Sequence, residues 1–398
     1  MTTSPAAWRP RVDPDLAQML RVVREFVRRE LEPLDAALDR GGELPPDALR
    51  QVGSLGLMGL MVPTEYGGLG LGLDAYCWVA EEMACAPAAF ADLFTVTNTV
   101  GVLPLLADGT EAQKRAWLPR VTSGGALVAF CLTEPKAGSD VAAIETRAEP
   151  LPDGQGYAIS GIKHFITAGA IADLYIVFAR VASADGRDGG RGAARREITA
   201  FLVERGAPGL RVARLNETMG PKPDLLAELH FQDCRVGPDQ VLGHVGDGFG
   251  VATRNLAVAR LAVAAAAVGT AQKLLELATS YAKTRIQFGR PLAANQAIQF
   301  MLADVAVDVA AARAMLHETA RRYDEGSRNA AEAAKVKLFA TEMVGRAADV
   351  AVQIHGGMGY MAESPVQRIY RKVRASRIYE GSSEIMRMVI ARDLLSDA

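Results

Sequence analysis

The sequence predicts an α+β protein that is mainly helical: a helical unit, then a small β-domain, then a helical bundle. Three observations point there. Apolar residues recur at helical spacing in the N-terminal third. Short runs of branched and aromatic residues crowd the middle third. After Pro238 the only prolines are Pro291 and Pro365, which leaves room for long helices.

Asp13-Pro14 reads as an N-cap followed by proline in the first helical turn, where a missing N–H breaks no bond. Leu16, Leu20, Val23 and Val27 then follow at spacings of four, three and four, one apolar helix face. Glycines and prolines from Gly41 to Pro46 and from Pro63 to Gly72 divide this region into several helices. Strands are expected over Ala126 to Leu132, Leu174 to Val181, Ile198 to Val203 and Ala227 to Phe231, with a turn at Pro152-Asp153-Gly154. Ser183 to Glu197, rich in Gly, Arg and Asp, reads as a mobile loop between two strands. In the last third, Ile298, Leu302, Val305, Val309, Ala312 and Leu316 keep spacings of four and three, a bundle seam. Alanines at 262 and 264–267 let helices approach closely. Domains are expected at 1–127, 128–243 and 244–398.

A chain of 398 residues buries a large core. Its net charge of -2 gives no sign of a nucleic-acid or membrane-surface partner. Met1 to Pro10 lacks the apolar core of a secretory leader, and the longest Ala/Val run, Leu261 to Thr270, is too short to span a bilayer. Cys77, Cys85, Cys131 and Cys234 are scattered, which argues against a disulfide framework or thiolate metal site and for a cytoplasmic setting. None of the histidines, His164, His230, His244, His317 and His355, has metal-ligand spacing, so no metal is expected. The glycines of Gly67 to Gly72 do not sit in a strand–turn–helix unit and are not read as a dinucleotide site.

Three segments carry chemistry. Ile378-Tyr379-Glu380-Gly381-Ser382-Ser383-Glu384-Ile385 sets one carboxylate before a glycine and two hydroxyls. Cys131-Leu132-Thr133-Glu134-Pro135-Lys136-Ala137-Gly138-Ser139-Asp140 joins a strand to a turn of small residues, whose backbone can approach a ring or a phosphate. Arg285-Ile286-Gln287-Phe288-Gly289-Arg290-Pro291-Leu292 offers a guanidinium and an aromatic at a helix end. Gly161 to Gly169, read by itself, is a strand with a buried aromatic.

Together these segments resemble the acyl-CoA dehydrogenase family over nearly the whole chain, including Pro63-Thr64-Glu65-Tyr66-Gly67-Gly68-Leu69-Gly70 and the run from Gln353 to Leu395. The resemblance implies an N-terminal helical domain, a central β-domain and a C-terminal four-helix bundle. It implies FAD as cofactor and the α,β-dehydrogenation of an acyl thioester, acyl-CoA to trans-2-enoyl-CoA. Glu380 would remove the α-proton while a hydride passes to flavin N5. Phe130, Leu132, Thr133, Phe165 and Thr167 would line the flavin, and Ser139 would approach both pyrophosphate and thioester. Arg285, Phe288, Gln296, Gln353, Gly356 and Gly357 would reach the FAD of a neighbouring subunit, which implies a homo-oligomer, tetramer or dimer. Ser382 and Glu384 would complete the cofactor site; Arg260, Tyr379 and Gly381 would meet the substrate, with the acyl tunnel running from Leu93 to Leu103. Electron-transferring flavoprotein would be the acceptor.

Some positions depart from the family pattern. One branch carries its base near residues 259 and 260, but Ala259 and Arg260 leave Glu380 alone in that role. Ala257 stands where many relatives hold CoA with an aspartate, and Pro221-Lys222-Pro223 replaces an arginine-bearing stretch. An acyl-carrier-protein thioester therefore stays open beside acyl-CoA. So do an oxygen-using oxidase or monooxygenase on the same fold, and a binding protein without catalysis.

Overall fold

The computed structural model describes residues 12–45, 47–152, 154–181, 197–223 and 225–396. Met1 to Pro10, Asp153 of the expected turn and residues 183–196 of the expected loop lie outside them.

Helix α1 (Pro14–Phe26) starts where the sequence says, with the Asp13 side chain accepting from Asp15 N at 2.9 Å. Its Leu20 and Val23 are buried, and Val27 continues the stripe into the next turn. Helices α2 (Leu73–Met83) and α3 (Ala88–Val96) follow, then a wide turn at Thr97–Gly101 and helix α4 (Glu111–Thr122), opened by a Thr110–Gln113 capping box.

The chain then builds an eight-stranded sheet. Strands β1 (Val128–Cys131), β4 (Leu174–Val181), β5 (Ile198–Glu204) and β7 (Leu226–Val236) fall on the four expected runs. Strands β2 (Arg147–Pro150), β3 (Tyr157–Thr167), β6 (Leu210–Leu215) and β8 (Val241–Leu242) complete it. The order is β6-β7-β3-β2-β4-β5-β8, and β1 pairs parallel with β4 in the register Phe130 to Ile176.

The last third is helical: α5 (Leu256–Thr284), α6 (Gln296–Asp324), α7 (Ala330–His355), α8 (Pro365–Val373) and α9 (Ser383–Leu394). Helix α5 packs against α2, α6 and α7, and α9 closes on α7. On α6, Val305, Val309, Ala312 and Leu316 form the buried seam. Small residues do bring helices together: a Cβ on Gly269 of α5 would meet the Glu81 carbonyl oxygen of α2 at 2.1 Å. Two stretches, Ala88–Asp108 and Gly248–Thr284, are long and apolar enough to cross a membrane, yet both are mostly buried within the fold. Their apolarity reflects packing on several faces rather than the short Ala/Val run noted above.

A buried polar clip fastens α2 to the bundle. His317 Nδ1 lies 2.6 Å from Asp74 and Nε2 3.0 Å from Glu81, while Arg313 approaches Glu81 at 2.8 Å and the imidazole stacks on Trp78 at 3.7 Å. Burial lowers the His317 pKa, but the two carboxylates overcome it and the net shift is upward. With the folded value above the unfolded one, about 6.5, the clip stabilises fully below that pH and loses its contribution as pH climbs through the raised value. Urea midpoints measured against pH are therefore expected to fall for the native chain from neutral to alkaline pH. The His317→Gln variant should be less stable at acid pH and flatter across that window.

Candidate active site

The sites named by sequence fall into two clusters. The first surrounds Glu380. After α8 a short 3-10 turn, Arg374–Arg377, leads into residues 378–382, and the Ser382 side chain caps α9 by accepting from Ile385 N at 3.4 Å. Glu384, exposed in the first turn of α9, has its carboxyl drawn below the usual range, first by its own backbone N–H and then by Ser382. Glu380 itself is half-buried and has φ +53. That backbone is uncommon for a non-glycine residue and costs about 1 kcal/mol or more unless the surroundings impose it.

The surroundings are specific. Lys337 Nζ of α7 donates to the Gly381 carbonyl at 2.7 Å, and Ser383 Oγ donates to Glu342 at 2.7 Å. Arg260 of α5 is buried, its nearest terminal nitrogen 4.0 Å from where a Gly381 Cβ would stand, and its Nε has no hydrogen-bond partner. An orphaned guanidinium nitrogen at this depth is costly, and so points to a missing polar ligand. Burial pushes the Glu380 carboxyl upward; Arg260 and Lys337 pull against it without cancelling the rise. Tyr379 and Ile378 are exposed beside it.

The segment running from α3 through Thr97–Gly101 joins the helices to the sheet. It packs on α5 at one side and on β1 and β3 at the other. Leu93 belongs to this stretch and is buried; Leu103, partly buried, lies just beyond it at the start of the helix Leu103–Asp108.

The sheet side is held by a buried ion pair. Lys163 Nζ of β3 donates to Glu134 at 2.7 Å and to the Leu132 carbonyl at 3.1 Å, and Glu134 also accepts from Thr146 N at 3.1 Å. His164 N donates to the Thr133 carbonyl at 2.9 Å. These bonds bind the end of β1 to the end of β3 and bring Leu132 and Thr133 next to the segment that carries Phe165 and Thr167. Phe165 is not buried, as the strand reading expected. The β3–β7 register breaks between Lys163 and Ile166, Phe165 takes φ +58, and its ring is 55% exposed with one face on His164 at 3.8 Å. Phe130 is half-buried against Phe178 at 4.8 Å, and Gly138 and Ser139 are open to solvent.

The second cluster is at the far end of α5. Arg285 caps that helix; Phe288, at φ +50, is fully exposed at the tip of the following hairpin; Gln296 starts α6. Tyr281 stacks on His355 at 4.3 Å, which ties the end of α5 to the end of α7, where Gln353, Gly356 and Gly357 stand. Arg260 and Thr284 stand on one helix, roughly 36 Å apart at the usual helical rise. Within one chain the two clusters therefore do not meet.

Among the described residues, five non-glycine residues have positive φ: Phe165, Ala168, Asp233, Phe288 and Glu380. Three of them are residues the sequence named. No group of metal-ligating side chains occurs among the described residues. His355 is structural, bonded to the Ala351 carbonyl, and Cys131 is buried with its thiol pushed well up.

Family models match the chain end to end: the acyl-CoA dehydrogenase N-terminal domain over 13–125, the middle domain over 129–234 and the C-terminal domain over 246–395. The chain belongs to the acyl-CoA dehydrogenase family. It is 40% identical over 384 residues to an acyl-CoA dehydrogenase of Bacillus subtilis (strain 168), covering 96% of this chain and 99% of that one. The human mitochondrial short-chain specific acyl-CoA dehydrogenase is 38% identical, with 96% and 90% covered. Butyryl-CoA dehydrogenase from Megasphaera elsdenii superposes with a TM-score of 0.91 at 35% identity, covering 98% and 100%.

An acyl-CoA dehydrogenase is an FAD-dependent oxidoreductase, and the residues present fit that group. Phe165 offers a bare aromatic face, Thr133 and Thr167 are half-buried hydroxyls at joined strand ends, and Gly138 and Ser139 leave room for backbone approach. Sequence reading missed Lys337, Lys163 and the Glu81–Arg313–His317 clip. For Lys337 a signal existed: it falls at helical spacing with Ala333, Ala340 and Val344, a charge on an apolar stripe.

Proposed function

We propose that this acyl-CoA dehydrogenase takes short, straight acyl-CoA thioesters and that Glu380 is the base removing the α-proton. The observation that carries the reading is the Glu380 turn: a half-buried carboxylate in a left-handed pose beside an orphaned Arg260 Nε. Burial raises the carboxyl's proton affinity, which strengthens it as a base, while Arg260 and Lys337 oppose part of that rise. The Glu380 N–H is proposed to polarise the thioester carbonyl, which acidifies the α-carbon. FAD, when bound, supplies the hydride acceptor for the β-carbon. Phe130, Leu132, Thr133, Phe165, Thr167 and Ser139 would hold it from the sheet, with Ser382 and Glu384 closing the site. Tyr379 and Gly381 would border the thioester, and water excluded from this pocket would not protonate the enolate-like carbon.

The short-chain preference is supported by the likeness to short-chain and butyryl enzymes. Electron-transferring flavoprotein is the proposed electron acceptor, and the cytoplasm the proposed location. Because Glu380 acts only when ionised, kcat/KM should rise with pH through a value above the ordinary carboxylate range, about 4.3. Steady-state kinetics against pH test this, and an acid limb at or below that ordinary value would count against Glu380.

The separation of the two clusters supports a homo-oligomer in which Arg285, Phe288, Gln296, Gln353, Gly356 and Gly357 serve a neighbour's FAD. Arg285→Gln should weaken FAD binding by about tenfold or more, the loss of a charge-assisted bond. Co-expressed Arg285→Gln and Glu380→Gln chains then offer a sharper check. Hybrids regain a whole site if the arginine serves a neighbour, and gain nothing if each chain serves itself.

A further inference from the structure

Lys337 has no accessible surface, and its ammonium is bonded to a backbone carbonyl, Gly381 O at 2.7 Å, rather than to a carboxylate. It interrupts the buried stripe of Ala333, Ala340 and Val344, where an apolar residue would pack α7 without the cost of burying a charge. The carbonyl it holds follows Glu380 directly. Buried Arg260 stands beside the same turn.

We propose that Lys337 is a positioning residue: it pins the Gly381 carbonyl so that Glu380 keeps its left-handed pose, and its ammonium, with the Arg260 guanidinium, sets the charge beside the Glu380 carboxylate. This rests on the reading of Glu380 as the base.

The charges around the turn come from several elements. Arg260 faces Glu380 from α5, Glu384 comes from α9, and Glu342 of α7 accepts from Ser383 and lies 3.3 Å from Arg377 Nε. Asp92 of α3 acts on Tyr379. Burial draws the Lys337 ammonium down to about 8, with Glu380 opposing that fall and Arg260 reinforcing it. Two consequences follow in opposite pH ranges. Neutralising residue 337 removes a cation beside Glu380 and raises the carboxyl's pKa further. In the native chain, Lys337 gives up its proton above about 8, which weakens the clamp and produces an alkaline limb.

Lys337→Gln, which keeps a donor for Gly381 without the charge, and Lys337→Arg, which keeps the charge, separate these effects in the holoenzyme. The probe is an infrared difference titration of the carboxyl stretch that disappears in Glu380→Gln, alongside the pH profile of kcat/KM. In Lys337→Gln the carboxyl titration and the acid limb should both move up by about one pH unit. In Lys337→Arg they should stay near the native position while the alkaline limb disappears. A Gln variant that is less stable but titrates Glu380 at the native pH would make Lys337 a packing residue and overturn the proposal. If that variant does not fold, Lys337→Arg decides alone: an alkaline limb unchanged from the native enzyme overturns it. Turnover retained in Glu380→Gln would instead sink the base assignment, so the two failures read out separately.

Discussion

Glu380→Gln is expected to bind FAD and acyl-CoA and to lose turnover by about 10²–10⁴-fold or more. The amide is nearly the same size, so it can occupy the turn that Lys337 and Ser383 hold. What it lacks is a lone pair basic enough to take a carbon-bound proton. The loss should sit in kcat, because the base acts on the transition state more than on the bound substrate. Loss of α-proton exchange from bound acyl-CoA in deuterated solvent should accompany it. Exchange at the native rate in the variant would assign the base elsewhere, and at positions 259 and 260 the chain offers only Ala259 and Arg260.

Lys163→Met is expected to be the most damaging single change to the scaffold, costing about 3–5 kcal/mol, because it leaves the Glu134 carboxylate buried without its cation. Side-chain exposure at this pair is 0% and 4%, so little solvent screening softens the loss. Burial works against the charge on both partners. Glu134 nevertheless stays below the usual carboxylate range, held there by the Lys163 charge and by hydrogen bonds from Lys163, Thr146 and Glu145. The pair also fixes the ends of β1 and β3, which carry Thr133 and Phe165, so FAD should be released before the chain unfolds globally. Urea unfolding followed by flavin fluorescence and by circular dichroism checks both points. The double change Glu134→Gln with Lys163→Met should recover part of the stability, since no uncompensated charge remains.

Legibility in the sequence tracks how local the cause is. Helix α1 could be read because its cap and its stripe are contiguous, and β4 and β5 because their residues are buried on both faces and therefore apolar throughout. Strands β2 and β6 were not read, since Arg147–Pro150 is short and Leu210–Leu215 lies largely open to solvent, with arginines at 211 and 214. Strand β3 is legible from Gly161 to Thr167, but its bulge turns Phe165 outward, a consequence of register that no local pattern carries. The buried ionic partners are distant in sequence, Glu134 with Lys163 beside the site and Glu81 with Arg313 in the scaffold, and only the folded chain joins them. Glu380 stands out only when its octapeptide is set beside the other two segments, and its left-handed backbone, the Lys337 clamp and the orphaned Arg260 Nε are not legible in sequence at all.

The most direct test is an anaerobic absorbance titration of the purified holoprotein with a panel of acyl-CoAs, from short straight chains to branched ones. Bleaching of the flavin band by butyryl-CoA, with a matching yield of the 2-enoyl thioester and no response in Glu380→Gln, is the expected result. Bound FAD that no acyl-CoA bleaches, but that an acyl-carrier-protein thioester or an oxygen-dependent substrate does turn over, would contradict it.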